Sequence, residues 1–204
     1  YGNTEMRIRI SGDTSSGYSY KKGVRQGCPC SPMLFNLFIN DIFDGLTELS
    51  VPRSDISVPG LMFADDIVVF GDDITDLTHK VNMISRWAVD NQMRINCDKS
   101  GILVWGTEAS IESGGINIPT NFGRICEVTE YRYLGVLIKR TTLEEHLVRD
   151  GAFRGSKALE ALKPKLLNKS ICIPFKGILI KNVLVPALMY GSELWGMSST
   201  RSGR

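Results

Sequence analysis

The chain has 204 residues, 43% of them hydrophobic and 23% charged, and a formal charge of +2 with a pI near 8.3. That mixture can bury the core of one domain or one and a half, and it excludes a disordered, highly charged polymer. A surface gripping phosphate along its whole extent would carry more positive charge, so net charge neither indicates nor rules out nucleic acid.

Met6, Ile8 and Ile10 alternate with Arg7 and Arg9, and Gly12, Asp13, Ser15, Ser16 and Gly17 supply a turn before a second extended stretch from Tyr18 to Lys22. The expectation is a hairpin. Ser31-Pro32 reads as an N-cap followed by proline at the first helical position, and Met33, Leu34, Leu37, Phe38 and Ile42 follow at helical spacing. This predicts a helix from Pro32 to about Leu46. Gly60 to Ala64 and Ile67 to Phe70 are short apolar runs separated by Asp65-Asp66, the pattern of two strands joined by an acidic tight turn.

Ile74, Leu77, Val81, Ile84 and Ala88 then form one apolar stripe on a long amphipathic helix lying on one face of a sheet. Met93 to Asn96 and Ile102 to Trp105 read as a strand pair around the turn Cys97 to Ser100, Ser113 to Gly115 as a loop, and Tyr133 to Ile138 as a further strand. From Thr142 the pattern is helical, with Leu159, Leu162 and Leu166 on one face and Pro174 opening a segment that carries Phe175, Ile178, Leu179 and Val183. A boundary falls near residue 140, and the tail from Ser198 to Arg204 is polar enough to fray.

The five cysteines, Cys28, Cys30, Cys97, Cys126 and Cys172, are odd in number and scattered, which fits reduced thiols inside a cell. His79 and His146 lie near no cysteine pair, so zinc is not expected. No apolar run reaches the roughly 20 residues that cross a bilayer, and no signal peptide opens the chain, so a soluble protein without a membrane partner is expected. The chain starts on Tyr1 and reads as a strand almost at once, which suggests truncation at the front.

Two constellations could carry chemistry. Phe63-Ala64-Asp65-Asp66 puts adjacent carboxylates on an apolar hairpin, suited to the hard oxygen ligation magnesium requires, although aspartates are also ordinary turn residues. In the run from Gly23 to Pro32, glycines permit close backbone approach, Arg25 and Gln26 supply donors, and the following helix offers its N-terminus to an anion. A glycine loop before a well-capped helix is the plainer account of the same residues.

The run GVRQGCPCSPMLFN, from Gly23 to Asn36, resembles the signature preceding the active-site hairpin in reverse transcriptases of non-LTR retrotransposons, the LINE-like elements. FADD resembles that family's catalytic F/Y-A-D-D box. Asn96 with Lys99-Ser100 is similar to its N-x-x-K-S/T element, Tyr133-Leu134-Gly135 to its Y-L-G element, and the run from Tyr190 to Trp195 to its thumb-side Y-G-x-E-x-W. Five motifs in order span nearly the whole chain.

The resemblance implies an α+β fold: a polymerase palm, an antiparallel sheet with helices on one face, over residues 1–140 and incomplete at its N-terminus, followed by a helical thumb-like region over 141–204. It implies an RNA-directed DNA polymerase that uses Mg2+ in two-metal nucleotidyl transfer, with an RNA template, a DNA primer and deoxynucleoside triphosphates as partners and other domains of the same polyprotein beside it. Asp65 and Asp66 would be the catalytic carboxylates and metal ligands, with Asp65 the direct one and Asp66 supporting. Arg25, Gln26 and Gly27 would lie along the incoming nucleotide and templating base. Lys99 would protonate the leaving pyrophosphate, a task that suits an ammonium. Tyr133, Leu134 and Gly135 would grip the primer terminus.

Two departures stand against the family pattern. Cys30 replaces a usual leucine, which should cost packing more than chemistry. The family's other catalytic aspartate belongs to an earlier strand, and Asp13, read here in a turn, cannot replace it, so the chain is expected to bind metal poorly by itself. The competing expectation is an inactive remnant that binds nucleic acid through Lys21, Lys22 and Arg25. A group II intron type of reverse transcriptase shares the palm chemistry, and the Y-G-x-E-x-W ending argues for the retrotransposon side.

Overall fold

The structure, a computed structural model, describes residues 5–19, 22–51, 54–105, 115–140 and 143–196. Mixed α and β elements form two compact units, Tyr1–Asp72 and Asp73–Arg204.

In the first unit, β1 (Glu5–Met6) pairs antiparallel with β4 (Tyr18–Ser19), and β2 (Arg9–Ile10) with β3 (Asp13–Thr14). Between the two ladders, Ser15 donates its N–H to the Ile8 carbonyl at 2.9 Å and accepts the Ile8 N–H on Oγ at 3.0 Å. The expected hairpin is present, but the reversal falls on Ser11 and Gly12, both at positive φ, and Asp13 stands in a strand rather than in the turn. Tyr20 and Lys21, expected in the second strand, lie outside the described residues.

Helix α1 (Ser31–Phe38) is shorter than its apolar spacing predicts. Beyond it Ile42, Asp44 and Leu46 each donate an N–H to the carbonyl three residues back, so the helix gives way to consecutive turns. Asn40, Asp41, Asp44 and Gly45 are turn formers and weak helix formers, and they outweigh the periodicity. Of the predicted apolar set only Ile42 is buried; Met33, Leu34, Leu37 and Phe38 are exposed, and Ile39 and Leu46 supply the rest of the buried contact. Ser31 does not cap; Cys30 takes the N-cap position, while Ser31 Oγ donates to the Arg25 carbonyl at 2.7 Å.

Two antiparallel pairs complete this unit, β5 (Leu49–Ser50) with β6 (Ser57–Val58) and β7 (Gly60–Phe63) with β8 (Asp66–Val69). Gly60 is the fixed point of the second pair, because a Cβ there would meet the Val68 carbonyl oxygen at 2.3 Å and Phe43 Cζ at 3.1 Å.

The second unit opens with α2 (Ile74–Asp90), capped by Asp73, whose Oδ1 accepts the Asp76 N–H at 2.8 Å. Its stripe holds from Leu77 onward: Leu77 and Val81 pack on Ile102, Ile118 and Ile125 of a three-stranded sheet and Ile84 and Ala88 are buried, while Ile74 is exposed. Lys80 is buried within α2 and pairs with Asp76 at 2.7 Å. The sheet consists of β9 (Gly101–Ile102), β10 (Asn117–Thr120) and β11 (Gly123–Glu127) in the order β10-β11-β9.

This arrangement corrects the expected strand pair. Residues 93–96 form no strand, Cys97–Lys99 is a single 3-10 turn, and β9 runs parallel to β11. Ile95 reaches the core from a loop, which produces the same apolar alternation as a strand. The β10–β11 hairpin was not expected because Pro119 lowers the strand signal; β10 is an edge strand, where proline is tolerated. Ser113 and Gly114 lie outside the described residues.

The single strand expected from Tyr133 to Ile138 is a hairpin, β12 (Glu130–Tyr133) with β13 (Val136–Lys139), reversing at Leu134-Gly135. Helices follow: α3 (Leu143–Leu167), α4 (Ile173–Leu179), a π-turn (Ile180–Leu184), α5 (Val185–Met189) and α6 (Ser192–Gly196). Pro186 has no N–H to give to the preceding turn, which accounts for the widened hydrogen bonding just before it. Gly151 and Gly155, one turn apart on α3, leave room for Leu188 of α5; a Cβ at Gly155 would meet Leu188 Cδ2 at 2.4 Å. Among the described residues no helix is long and apolar enough to cross a membrane.

Replacing Gly60 by alanine must move Val68 or Phe43, and it is expected to lower stability by about 1–3 kcal/mol. A urea denaturation series on the wild type and Gly60→Ala measures this, and an unchanged midpoint would show that the β7–β8 contact is slack.

Candidate active site

Asp65 and Asp66 do not together form the turn. Ala64 and Asp65 are its two central residues, and Asp66 begins β8 opposite Phe63. Ala64 takes φ +53 and Asp65 does not take positive φ, the signature of a type II′ reversal, whose twist matches the flanking strands. An alanine in this conformation costs roughly 1–2 kcal/mol, offset by the four-residue ladder behind it.

Both carboxylates are exposed, and neither takes part in a hydrogen bond or ion pair among the described residues. Two unneutralised hard oxygen donors suit a divalent cation in kind. They do not complete a site: among the described residues no group of three or more Asp, Glu, His or Cys side chains could hold a metal ion, and Asp13 does not join the pair.

The loop before α1 lies in the same unit. Gly27 has φ +83 and open space where a side chain would project, so its backbone can be approached closely. The loop is closed on the Arg25 carbonyl, which accepts from Cys28 N–H at 3.2 Å and from Ser31 Oγ. The Arg25 and Gln26 side chains are thereby turned to solvent with their donors unspent on any described residue. The start of α1 offers an anion less than expected, since Ser31 N–H is used on the Cys28 carbonyl and Pro32 has no N–H.

The remaining predicted residues belong to the second unit. Asn96 organises the element of Lys99: its carbonyl accepts Lys99 N–H at 3.1 Å and Ser100 Oγ at 2.9 Å. Tyr131 Oη donates to the Lys99 carbonyl at 2.7 Å, which ties this 3-10 turn to β12 and so to Tyr133. Gly101 makes the approach possible, because a Cβ there would lie 2.8 Å from Val128 Cγ2 and 3.3 Å from Tyr131 Cδ2. The Lys99 ammonium is exposed and has no partner among the described residues. An open groove of about 500 Å³ is lined by Arg94, Asn96, Cys97, Asp98, Phe122 and Arg124 among others, and Lys99 is not part of its lining.

Leu134 and Gly135 both take positive φ, +46 and +79, as a type I′ reversal requires. At the far end of this hairpin Lys139 Nζ lies 2.6 Å from Glu130 Oε2. The hydrogen bond from Lys139, and then its charge, hold the Glu130 carboxyl below its ordinary value of 4.5. The structure thus joins Lys99 to Tyr133, Leu134 and Gly135, and it holds Asp65, Asp66, Arg25, Gln26 and Gly27 in the other unit.

Sequence reasoning missed the residues that brace these elements, namely Tyr131, Arg132, Asp150 and Arg154. Only the last pair left a local signal, an acid and a base four apart on a helix.

The family model described as reverse transcriptase (RNA-dependent DNA polymerase) matches residues 3–138. An RNA-directed DNA polymerase from the mobile element jockey of Drosophila melanogaster is 24% identical over 95% of this chain, which covers 21% of that protein. A retrovirus-related Pol polyprotein from the type-1 retrotransposable element R2 of Popillia japonica is 24% identical over 94% of the chain, covering 32% of that protein. An uncharacterised 149 kDa protein of the transposon TX1 of Xenopus laevis is 30% identical over 52% of the chain, covering 8% of that protein.

Two outcomes are expected from the hairpins. Ala64→Gly should hold or raise stability, by up to about 1 kcal/mol, because glycine adopts positive φ without strain, whereas Ala64→Val should lower it by at least as much; thermal denaturation of both separates them. Glu130, with its pKa lowered on folding, stabilises fully above the ordinary carboxylate value and loses that contribution as pH falls through the lowered one. The stability gap between wild type and Glu130→Gln should therefore be present at neutral pH and close in acid. A gap that persists unchanged in acid would exclude the ion pair as its source.

Proposed function

Because the chain belongs to the reverse transcriptase family, in its non-LTR, LINE-like branch, we propose that it is the palm and thumb portion of an enzyme that copies RNA into DNA. The chain spans between about a twelfth and a third of the length of the curated relatives it matches. The observation that carries the reading is the pair of unneutralised carboxylates, Asp65 and Asp66, at a strained two-residue reversal, inside five family motifs in their family order.

In an upstream-lengthened chain, Asp65 and Asp66 would contribute to holding magnesium, which would supply Lewis-acid activation of the primer hydroxyl and neutralise charge on the triphosphate. Arg25 and Gln26 offer uncommitted donors to the incoming nucleotide and the templating base, and Gly27 lets the backbone close on them. Lys99 carries the proton that the departing pyrophosphate takes up, and Tyr133, Leu134 and Gly135 hold the primer end. General-acid catalysis of this kind contributes on the order of 100-fold to 10,000-fold. In the upstream-lengthened chain, Lys99→Ala should lower kcat by about that factor, while Asp65→Ala should abolish turnover.

The test is primer extension on poly-rA with magnesium. It compares this chain, its Asp65→Ala variant, and a version lengthened upstream along the same transcript. DNA synthesis by a wild-type length that Asp65→Ala removes supports the enzyme. If no wild-type length extends a primer where a control enzyme does, the reading retreats to a reverse-transcriptase-derived chain without turnover.

A further inference from the structure

The Leu134-Gly135 reversal meets, 56 residues later, the turn at Tyr190-Gly191 between α5 and α6. The Tyr190 hydroxyl donates to the Leu134 carbonyl, and Arg132 Nη1 donates to the Gly135 carbonyl at 2.9 Å. Both carbonyls of the reversal are therefore held by side chains.

The fit is reciprocal. A Cβ on Gly135 would lie 3.4 Å from Tyr190 Cε1, and a Cβ on Gly191 would lie 3.2 Å from Val136 Cγ2. Both glycines take positive φ, +79 and +77, so a side chain at either would be strained as well as crowded. Each turn leaves room for a side chain belonging to the other.

Helix α3 closes the circuit. Arg154 Nη2 donates to the Tyr190 carbonyl at 2.9 Å, and its guanidinium carbon stands 5.5 Å from the Tyr190 ring centre. Its Nη1 pairs with Asp150, which lies 3.8 Å from Arg132 Nη1. From Tyr190 the path runs through Leu134, Gly135, Arg132, Asp150 and Arg154 back to Tyr190.

We propose that Tyr190 is a positioning residue for the primer terminus: its hydroxyl and ring set the Leu134-Gly135 reversal, and Arg154 with Asp150 keeps Tyr190 in place. The proposal rests on the reading of Tyr133, Leu134 and Gly135 as the elements that hold the primer. Leu134, at φ +46, is a poor natural occupant of its conformation, so a reversal built on it needs an external tie. The contact also links the hairpin to the helical region, which lets the orientation of the helices bear on the place where the primer would sit.

Tyr190→Phe tests this, because it removes the hydroxyl and keeps the ring. In this chain, amide hydrogen exchange over residues 134–136 should become several-fold faster while exchange in β11 is unchanged; unaltered exchange at the reversal overturns the proposal. In the upstream-lengthened polymerase, Tyr190→Phe should raise the KM for primer roughly 3- to 10-fold, the effect of one lost hydrogen bond, with kcat and nucleotide KM within about 2-fold.

Gly135→Val separates the two failures. If it raises primer KM and Tyr190→Phe does not, the role of Tyr190 is wrong and the primer-holding reading survives. If Gly135→Val leaves primer KM unchanged, or the lengthened wild type binds no primer, both fall together.

Discussion

At the tips of β7–β8 and β12–β13 the backbone reverses in two residues, and at each tip a residue other than glycine is forced to positive φ, Ala64 in one and Leu134 in the other. A reversal of that kind exists only where something outside it is stronger than its strain. For Ala64 the counterweight is the ladder from Gly60 to Val69, seated against Phe43 through the missing side chain of Gly60. For Leu134 it is the ladder from Glu130 to Lys139 together with Arg132 and Tyr190. Side chains carried on such tips have few alternative positions.

In the second unit, alignment is carried by tyrosine hydroxyls that reach backbone carbonyls far away in sequence. Tyr131 binds the Lys99 carbonyl, and Tyr190 binds that of Leu134. A tyrosine can do this because its ring packs like an apolar side chain while its hydroxyl still needs a partner. Both contacts also depend on a glycine at the crossing point, Gly101 in one and Gly135 in the other. Small residues at these positions serve the neighbour more than their own strand.

Much of this was legible in the sequence wherever the determining forces are local. The stripe of α2 was visible because it repeats every turn, whereas the same spacing in α1 misled: Ile42 is buried, but Met33, Leu34, Leu37 and Phe38 are exposed and the helix itself stops at Phe38. The motifs around Asp65, Asp66, Lys99 and Tyr133 were found by their order. What escaped was set from a distance. Nothing near Leu134 announces a reversal except Gly135, because the ties come from Tyr190 and α3. Ile95 imitates a strand residue while sitting in a loop, and Pro119 hides a strand that lies at a sheet edge.

The π-turn at Ile180–Leu184 has a consequence for how the segment can vary in length. An extra residue accommodated in a helix rotates everything beyond it by about 100° relative to what precedes it. The face of α5 that seats Leu188 in the notch at Gly155 is therefore set by the residue count ahead of it. Gain or loss of a single codon between α4 and α5 would leave every hydrogen-bonded ladder intact and turn Leu188 out of its notch. Length, more than composition, is the conserved quantity to look for along this stretch.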